Sequence, residues 1–213
     1  MTDTPEVCDY YVTERPEFVD FIGRFGTMAS VLDIGCAGGR LGKALVDRKI
    51  VGCCDGIEPF ADAAALAGAH LRQVWHGSME SRGDDVPWHS YDLVMMADVL
   101  EHLVDPWAAL RLLRKRTSSS CRLALSVPNI RHYKVLLPLL FKGQFRYEDH
   151  GIMDRTHLHF FTRESLAETL AECGWTMSAV SAHMKKRYRK PIYPTRLIEP
   201  FVAVQYLVMA EKR

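Results

Sequence analysis

The chain has 213 residues, with 27 basic and 26 acidic side chains and a formal net charge of +1. Its apolar fraction of 48% is ordinary for a soluble globular protein and excludes a disordered or fibrous chain. The balanced charge argues against a protein that coats DNA, because phosphate contacts need a basic face. No apolar run approaches the roughly 20 residues that a membrane span requires.

The six cysteines include no C-x-x-C pair, and most of them lie inside apolar runs. This pattern predicts reduced thiols. It also predicts no zinc site, because a structural zinc ion needs clustered ligands. The polar, acidic N-terminus is unlike a secretory signal, which has basic residues followed by an apolar stretch. We therefore expect a cytoplasmic protein.

Short apolar runs alternate with helical patterns in the first two thirds of the chain. Strands are predicted at 31–34, 50–54, 71–75, 91–96 and 122–127, and helices at 39–48, 60–69 and 106–116. This alternation predicts an α/β fold with a doubly wound, mostly parallel sheet. Beyond these elements, the pattern predicts a helix at 164–173, strands at 175–182 and 201–210, and a long loop over 183–200. Thr162 is the predicted cap of that helix and Gly174 its stop.

The most informative segment is a glycine turn after the first strand, with the sequence Asp-Ile-Gly-Cys-Ala-Gly-Gly at 33–39. Glycines let the backbone turn tightly and let a ligand come close. The spacing is not the G-x-G-x-x-G of a dinucleotide site. The carboxylate of Asp33 would repel a pyrophosphate but would suit a cationic ligand. Gly42, in the following helix, is expected to serve helix packing.

Polar residues also follow the later strands. Glu58 ends the second strand, where an acid can accept hydrogen bonds from both hydroxyls of a ribose. A small polar turn at 76–80 follows the third strand, and Asp98 follows the fourth. Because the carboxyl ends of parallel strands meet at one edge of a sheet, we expect one crevice there. The alternatives are that Glu58 is a surface acid and that Asp33 is a capping residue.

Taken together, these motifs resemble the class I S-adenosylmethionine-dependent methyltransferases over roughly residues 10–180. The resemblance implies a Rossmann-like sheet of seven strands with a final antiparallel strand, in a single domain spanning 1–213. It also implies S-adenosyl-L-methionine as the cofactor. The residues that the resemblance assigns to cofactor binding are Asp33, Gly35, Cys36, Ala37, Gly38, Glu58, Pro59, Phe60, Ser78, Met79, Asp98 and Arg15.

The N-terminal segment, residues 1–30, is expected to act as a cap, because such a segment folds over the cofactor in this family. Tyr11 is a candidate catalytic residue and Tyr10 a candidate for binding the methyl acceptor. Arg15 is expected to meet the carboxylate of the cofactor. The alternative is that both tyrosines only pack the N-terminal arm.

Residues 128–162 follow the fifth strand, where the family places its acceptor-binding insertion. Three of the nine histidines fall within ten residues there, beside acidic and basic side chains. His150 or His157 is predicted to be a general base for a hydroxyl acceptor, with Asp154 orienting it. Arg155 is predicted to bind an anionic part of the acceptor. The alternative is a polar network that braces the insertion, joining Asp154 to Arg155 and His157 to the backbone.

The run Asp-Arg-Thr-His at 154–157, followed by Phe-Phe-Thr at 160–162, resembles a subgroup associated with bacterial polysaccharide and secondary-metabolite biosynthesis. The predicted function is methyl transfer by in-line displacement to a hydroxyl or ring nitrogen of a small molecule or sugar. His102 is a further candidate for binding this acceptor. The alternatives are an RNA methyltransferase, suggested by the basic stretch 185–190, a nicotinamide-dependent oxidoreductase, and a non-catalytic cofactor-binding partner protein.

Metal binding is not expected from the sequence. Glu101 and His102 are neighbours, and neighbouring side chains point to different faces of an α-helix, so the two should not share one ion. The apolar run 135–141 is interpreted as a lid or a dimer contact. We expect a monomer or homodimer with no DNA partner, and RNA is the less favoured acceptor.

Overall fold

The computed structural model describes residues 14–184, 188 and 195–213. The candidates Tyr10 and Tyr11 and most of the basic stretch 185–190 lie outside the described residues. The chain forms two compact units, the first ending at Met95 and the second running from Met96 to Arg213. In the part of the chain that the structure describes, no helix has the length and apolar character needed to cross a membrane.

The first unit alternates strands and helices, as the sequence predicts. Its elements are α1 (Pro16–Gly23), β1 (Met28–Ile34), α2 (Arg40–Asp47), β2 (Val51–Glu58), α3 (Ala61–Ala67), β3 (Gln73–His76), a 3₁₀ turn (Trp88–Ser90) and most of β4 (Leu93–Ala97). Parallel pairing joins β1 to β2 and β2 to β3. The helices between them are the crossovers that parallel pairing requires.

The second unit is mixed in strand direction. Its elements are a 3₁₀ turn (Leu100–His102), α4 (Pro106–Arg116), β5 (Arg122–Pro128), α5 (Tyr133–Lys142), α6 (Arg163–Glu172), β6 (Trp175–Met184), α7 (Thr195–Val202) and β7 (Ala203–Lys212). The last strand, β7, pairs antiparallel with both β5 and β6.

The strands form one sheet of seven in the order β3-β2-β1-β4-β5-β7-β6. All five residues of β4 are buried, as is typical of a strand in a parallel sheet whose two faces are covered. The predicted fold class, a mostly parallel α/β sheet with a final antiparallel strand, is therefore confirmed.

Gly42 in α2 shows how closely this helix lies on the sheet. A Cβ at this position would lie only 2.6 Å from Sγ of Cys54 in β2 and 2.6 Å from Cδ2 of Leu71. Real Cβ atoms do not approach other heavy atoms so closely, because the repulsion is too strong. The prediction that Gly42 serves helix packing is confirmed.

The cap and stop of α6 are also as predicted. The hydroxyl of Thr162 accepts a hydrogen bond from the N–H of Ser165 at 3.1 Å, and the Ser165 hydroxyl accepts one from the N–H of Thr162 at 2.9 Å. This reciprocal pair is a capping box, which satisfies two backbone donors at the helix start. Gly174 follows the helix with a φ of 79°, a value that glycine adopts without strain.

The structure differs from the sequence prediction after β6. A helix, α7, covers Thr195–Val202, where the loop was expected to extend to residue 200, and β7 begins at Ala203 instead of residue 201. Ile198 and Val202 are four residues apart and share one face of a helix, which favours α7 despite Pro200 inside it. The apolar run 135–141 lies within α5, and Gly143 follows this helix with a φ of 61°.

Candidate functional site

The glycine turn connects β1 to α2 in the first unit. Gly35 and Gly39 have φ values of 69° and 74°, in the left-handed region that glycine adopts at little cost. Ala37, between them, has a φ of 48°, which is strained for a residue with a Cβ. A Cβ on Gly39 would lie 3.0 Å from Cγ of Leu71 and 3.1 Å from Cα of Ala67, so a larger residue would displace the turn.

Glu58, at the end of β2, holds this turn in place. Its Oε2 accepts a hydrogen bond from the N–H of Ala37 at 2.7 Å, and its Oε1 accepts one from the N–H of Phe60 at 3.0 Å. The residue is only 3% exposed, so the alternative of a surface acid is wrong. A carboxylate offers about four acceptor sites, and the two N–H groups use only two of them. Glu58 can therefore fix the turn and still accept hydroxyl groups.

Asp33 lies one residue before the end of β1 and is 2% exposed. Burial, together with the negative charge of Glu58, raises the pKa of the Asp33 carboxyl to about 8, although Arg15 acts in the opposite direction. Burial also raises the pKa of Glu58. A cation placed beside these two acids would favour their charged forms, so the pair is suited to a sulfonium or ammonium group. Asp33 does not cap α2, whose N-cap is Gly39.

Cys36 fills the space beneath the turn. Its sulfur would lie 2.5 Å from a Cβ on Gly56, so the thiol packs directly on the backbone of β2. Burial raises the pKa of this thiol, and the nearby charges of Asp33 and Glu58 raise it further, so it remains protonated and is not a nucleophile. The side chain of Cys36 therefore contributes packing.

The turn after β3 lies next to the end of β2. Glu58 and His76 are register partners, and the N–H of Gly77 donates to the carbonyl of Glu58 at 2.9 Å. Ser78 and Ser81 exchange hydrogen bonds between their N–H and hydroxyl groups at 3.0 and 3.2 Å. Phe60 is 63% exposed, so its ring is available to stack on a base.

The remaining predicted cofactor residues of the first unit have different surroundings. Met79 is buried, with 4% of its surface exposed, whereas Pro59 is exposed and its carbonyl oxygen lies 3.1 Å from Nε2 of His76. Gly38 is buried in the turn. The Arg15 guanidinium lies over the Phe18 ring, 5.6 Å from its centroid. Their predicted roles toward a cofactor stay predictions.

Asp98 follows β4 in the second unit with a φ of 57°, another strained backbone conformation. Its Oδ1 accepts hydrogen bonds from the hydroxyl of Ser126 at 2.8 Å and from the side-chain amide of Gln205. Its N–H donates to the Ser126 hydroxyl at 3.0 Å. These bonds tie Asp98 to β5 and β7 and hold the loop that follows β4. Its predicted contact with the cofactor stays a prediction.

Glu101, His102 and His157 come together in the second unit. A carboxylate oxygen of Glu101 and one nitrogen of each imidazole all lie within 4.8 Å of one another. The two imidazole rings meet edge to face, with their centroids 4.7 Å apart. The expectation that Glu101 and His102 point apart is wrong. Both residues lie at the end of one 3₁₀ turn, and the backbone is already extended at Leu103. The pair is therefore not part of an α-helix, and the rule that neighbouring side chains point to different helix faces does not apply.

Backbone hydrogen bonds hold the segment that follows β5 against this turn. The N–H groups of Leu158 and His159 both donate to the carbonyl of Glu101, at 2.9 and 3.1 Å. Glu101 itself is only 1% exposed and His157 is 7% exposed. The relative position of the three side chains is therefore fixed by main-chain contacts and by burial.

The tautomer of each histidine follows from its own partner. Nδ1 of His102 lies 3.2 Å from the carbonyl oxygen of Thr156, and Nδ1 of His157 lies 3.0 Å from that of Ile152. A carbonyl oxygen can only accept, so in the neutral form of each ring Nδ1 carries the proton and Nε2 keeps its lone pair. Burial and the neighbouring His157 lower the pKa of His102, which favours its neutral form.

The contacts of Asp154 and Arg155 differ from both sequence hypotheses. Asp154 accepts hydrogen bonds from the N–H and the hydroxyl of Thr156, at 2.8 and 2.6 Å. His157 is oriented by the hydrogen bond that its Nδ1–H donates to the Ile152 carbonyl, as the bracing alternative proposed. Arg155 pairs with Asp149 at 3.2 Å instead of Asp154, and its side chain is 68% exposed. An exposed guanidinium remains accessible to an anionic acceptor.

His150 lies apart from this cluster on the exposed part of the same segment. Glu101 is the candidate that sequence reasoning undervalued. The available signal was an acid directly before a histidine in the loop that follows a buried strand. No local sequence pattern indicated Ser126 and Gln205 as hydrogen-bond partners of Asp98, because they lie 28 and 107 residues away from it along the chain.

Residues 10–180 match the model of a protein family described as "Methyltransferase domain". The chain belongs to this family. Because the match covers most of the chain, it confirms the resemblance to class I methyltransferases, and S-adenosylmethionine is the cofactor that this membership implies. This methyltransferase domain therefore has a glycine turn and a buried acidic pair in the positions where the sequence predicted a donor site.

Two curated relatives are ubiquinone biosynthesis O-methyltransferases. The one from Aliivibrio fischeri is 34% identical over 94 residues, which is 42% of this chain and 38% of that protein. The one from Hydrogenovibrio crunogenus is 28% identical over 139 residues, 61% of this chain and 56% of that protein. The chain thus matches about half or less of the length of these relatives.

A solved structure of a SAM dependent methyltransferase from Archaeoglobus fulgidus has the same fold. It superposes with a TM-score of 0.67 and covers 94% of this chain and 95% of its own, at 18% identity. At this identity the similarity concerns the fold alone, and it agrees with the sheet order described above.

Proposed function

We propose that this methyltransferase domain transfers a methyl group from S-adenosylmethionine to a hydroxyl group of a small, ring-containing molecule. The observation that carries the proposal is the buried pair of acids, Asp33 and Glu58, beside the glycine turn. This turn lies within the part of the chain that matches the methyltransferase family. Asp33 supplies negative charge for a cationic donor, and Glu58 keeps acceptor sites for ribose hydroxyls while it fixes the turn.

A hydroxyl acceptor is favoured over a ring nitrogen for two reasons. The curated relatives are named as O-methyltransferases. In addition, a hydroxyl must lose its proton, whereas a ring nitrogen needs only positioning. The cluster of Glu101, His102 and His157 offers the groups that activate a hydroxyl, either by accepting its proton or by holding a cation that lowers its pKa.

The aromatic side chains beside His157 favour an acceptor with a flat or apolar face. The rings of Phe145, Tyr147 and Phe160 lie against one another, with centroids 5.6 to 6.2 Å apart, and Phe160 lies 6.3 Å from His157. Phe145 and Tyr147 remain 43% and 49% exposed, so they can contact a ring. This supports a hydroxylated aromatic or sugar ring as the substrate class. The polysaccharide and secondary-metabolite subgroup remains part of this proposal.

The reaction is an in-line displacement at the methyl carbon. The acceptor oxygen forms a bond to this carbon while the carbon–sulfur bond breaks, and the electron pair passes to sulfur, which leaves as a neutral thioether. The protein must hold the two reactants in line at about 3 Å and exclude water. No covalent enzyme intermediate is needed.

Calorimetric titration with S-adenosylmethionine and with its demethylated product tests the donor site. We expect Glu58→Gln to weaken donor binding about 10- to 100-fold, since the amide loses the charge and one acceptor oxygen. The matched control is Glu168→Gln, which changes an exposed acid in α6. If the unaltered protein gave no heat with either nucleoside, the proposal would fail.

The acceptor class is tested with a labelled methyl donor and a panel of catechols, phenols, hydroxylated sugars and ring nitrogen compounds. We expect product only with hydroxylated rings. His150→Ala and His157→Ala separate the two predicted bases, and a loss above tenfold in rate, about 1.4 kcal/mol of barrier, identifies a participating residue. Methylation of nitrogen compounds alone would contradict the hydroxyl proposal.

A further inference from the structure

We propose that Glu101, His102 and His157 form a binding site for one divalent transition-metal ion of the zinc type. The activation of an acceptor hydroxyl by this ion rests on the proposed function, whereas the binding of the ion stands on the geometry of the cluster alone. The three groups lie in one unit and come from two segments, the turn after β4 and the insertion after β5.

The donor set has the chemistry of a catalytic metal site. Two imidazole nitrogens and one carboxylate suit zinc, iron(II) and related ions, whereas magnesium and calcium prefer oxygen ligands alone. Catalytic zinc sites keep three protein ligands and leave a further position for water or substrate. His102 is half-buried, so the cluster is not closed off on every side.

The hydrogen bonds around the cluster prepare both histidines as ligands. A metal-binding histidine almost always donates its other ring N–H to a carbonyl or carboxylate, which fixes its orientation. Here Thr156 accepts from Nδ1 of His102 and Ile152 from Nδ1 of His157. Nε2 is therefore the nitrogen available to an ion in both rings. The hydrogen bond from His157 to the Ile152 carbonyl, which was predicted as a bracing contact, therefore also orients His157 as a metal ligand.

The distances require only a small closing movement. Ligand atoms about 2.1 Å from a tetrahedral ion stand about 3.4 Å apart, against the 4.8 Å within which these three atoms lie. Rotation of the three side chains about their own bonds can supply this movement. The backbone does not need to move, because the bonds from Leu158 and His159 to Glu101 already hold the two segments together.

An ion at this site gives the hydroxyl acceptor a route to its reactive form. A bound divalent ion lowers the pKa of a coordinated water to about 7, and an acceptor hydroxyl held by the ion would be acidified in the same way. The hydroxyl proton passes to solvent water. The resulting oxyanion forms the carbon–oxygen bond as the carbon–sulfur bond breaks, and sulfur keeps the electron pair.

The test is a titration of the full chain, without any histidine tag and after dialysis against a chelator, with Co²⁺ alone. Cobalt reports its ligands by visible d–d absorption. We expect one ion per chain, displaced by Zn²⁺ in competition. His102→Ala and His157→Ala are each expected to weaken cobalt binding by about 10- to 100-fold or more.

The matched control is His159→Ala, which removes a histidine of the same segment whose Nε2 lies 3.3 Å from the carbonyl of Val104. This variant should bind cobalt like the unaltered chain. Thermal unfolding of each apo variant checks folding. If the buried His157→Ala variant failed to fold, the half-buried His102→Ala variant would decide the question.

No cobalt binding at millimolar concentration, or equal binding in all three variants, would overturn the metal site. Titration with the methyl donor in the presence of chelator separates this result from the proposed function. If the chain still binds the donor and transfers methyl at the full rate in the presence of chelator, the proposed function stands and metal activation is overturned. Specific cobalt binding without methyl transfer to any acceptor keeps the metal site and overturns the hydroxyl transfer.

Discussion

Asp33 illustrates at the residue scale how a buried acid lowers the stability of the fold. Its carboxyl is buried, and its pKa rises from 3.8 to about 8. Between about pH 4 and pH 8 the folded chain therefore holds a proton that the unfolded chain has lost. Because the folded state binds more protons, the free energy of unfolding falls as the pH rises through this window.

Asp33→Asn is expected to raise the free energy of unfolding at pH 8 by about 1–3 kcal/mol, since the amide has no charge to desolvate. At pH 4 the difference should nearly vanish, because the carboxyl is protonated in the folded state of the parent chain. Denaturant unfolding at both pH values measures this. Asp47→Asn, an exposed acid in α2, is the control. A variant less stable than the parent at pH 8 would contradict this account.

Donor binding should also be linked to the ionisation of Asp33. A cationic donor favours the charged carboxylate and lowers its pKa, so binding at pH 7 releases protons and the affinity rises toward pH 8. Calorimetry in buffers of different ionisation enthalpy counts the protons. We expect the release to disappear in Asp33→Asn. Proton uptake by the parent chain would refute this linkage.

At the scale of the element, the close packing of α2 on the sheet limits the size of the side chain at residue 42. Gly42→Ala places a methyl group against Cys54 and Leu71 and should cost about 1–3 kcal/mol of stability. The matched variant is Gly68→Ala at the end of α3. Its Cβ would lie an ordinary 3.4 Å from the carbonyl of Ala65, so it should be neutral or slightly stabilising. Equal effects in urea unfolding would contradict the packing argument.

Most elements of the first unit could be predicted because their signals are local. The glycine turn, Glu58 at a strand end and the helix predicted at 39–48 each depend on neighbours a few residues away. The helix α7 was missed because Pro200 and the preceding basic, proline-containing stretch indicate a loop. Its apolar face becomes favourable only when the rest of the second unit is present to cover it.

Donor binding should stabilise the folded chain as a whole. At a donor concentration of 100 times its Kd, the free energy of unfolding is expected to rise by about 2.7 kcal/mol, because the donor binds the folded state alone. Thermal unfolding with and without the donor measures this shift. The demethylated product serves as a second ligand. No shift in the presence of a saturating donor would contradict specific binding.

The sequence alone determined the class of fold, the family and the two acids of the predicted donor site. These follow from hydrophobic periodicity and from glycine geometry, which act over short stretches of chain. Only the tertiary structure decided which polar groups of the second unit meet. His102 bonds to Thr156 across 54 residues of sequence, and Asp98 bonds to Gln205 across 107. Contacts of this kind arise when distant segments pack together, and no local pattern of residues specifies them.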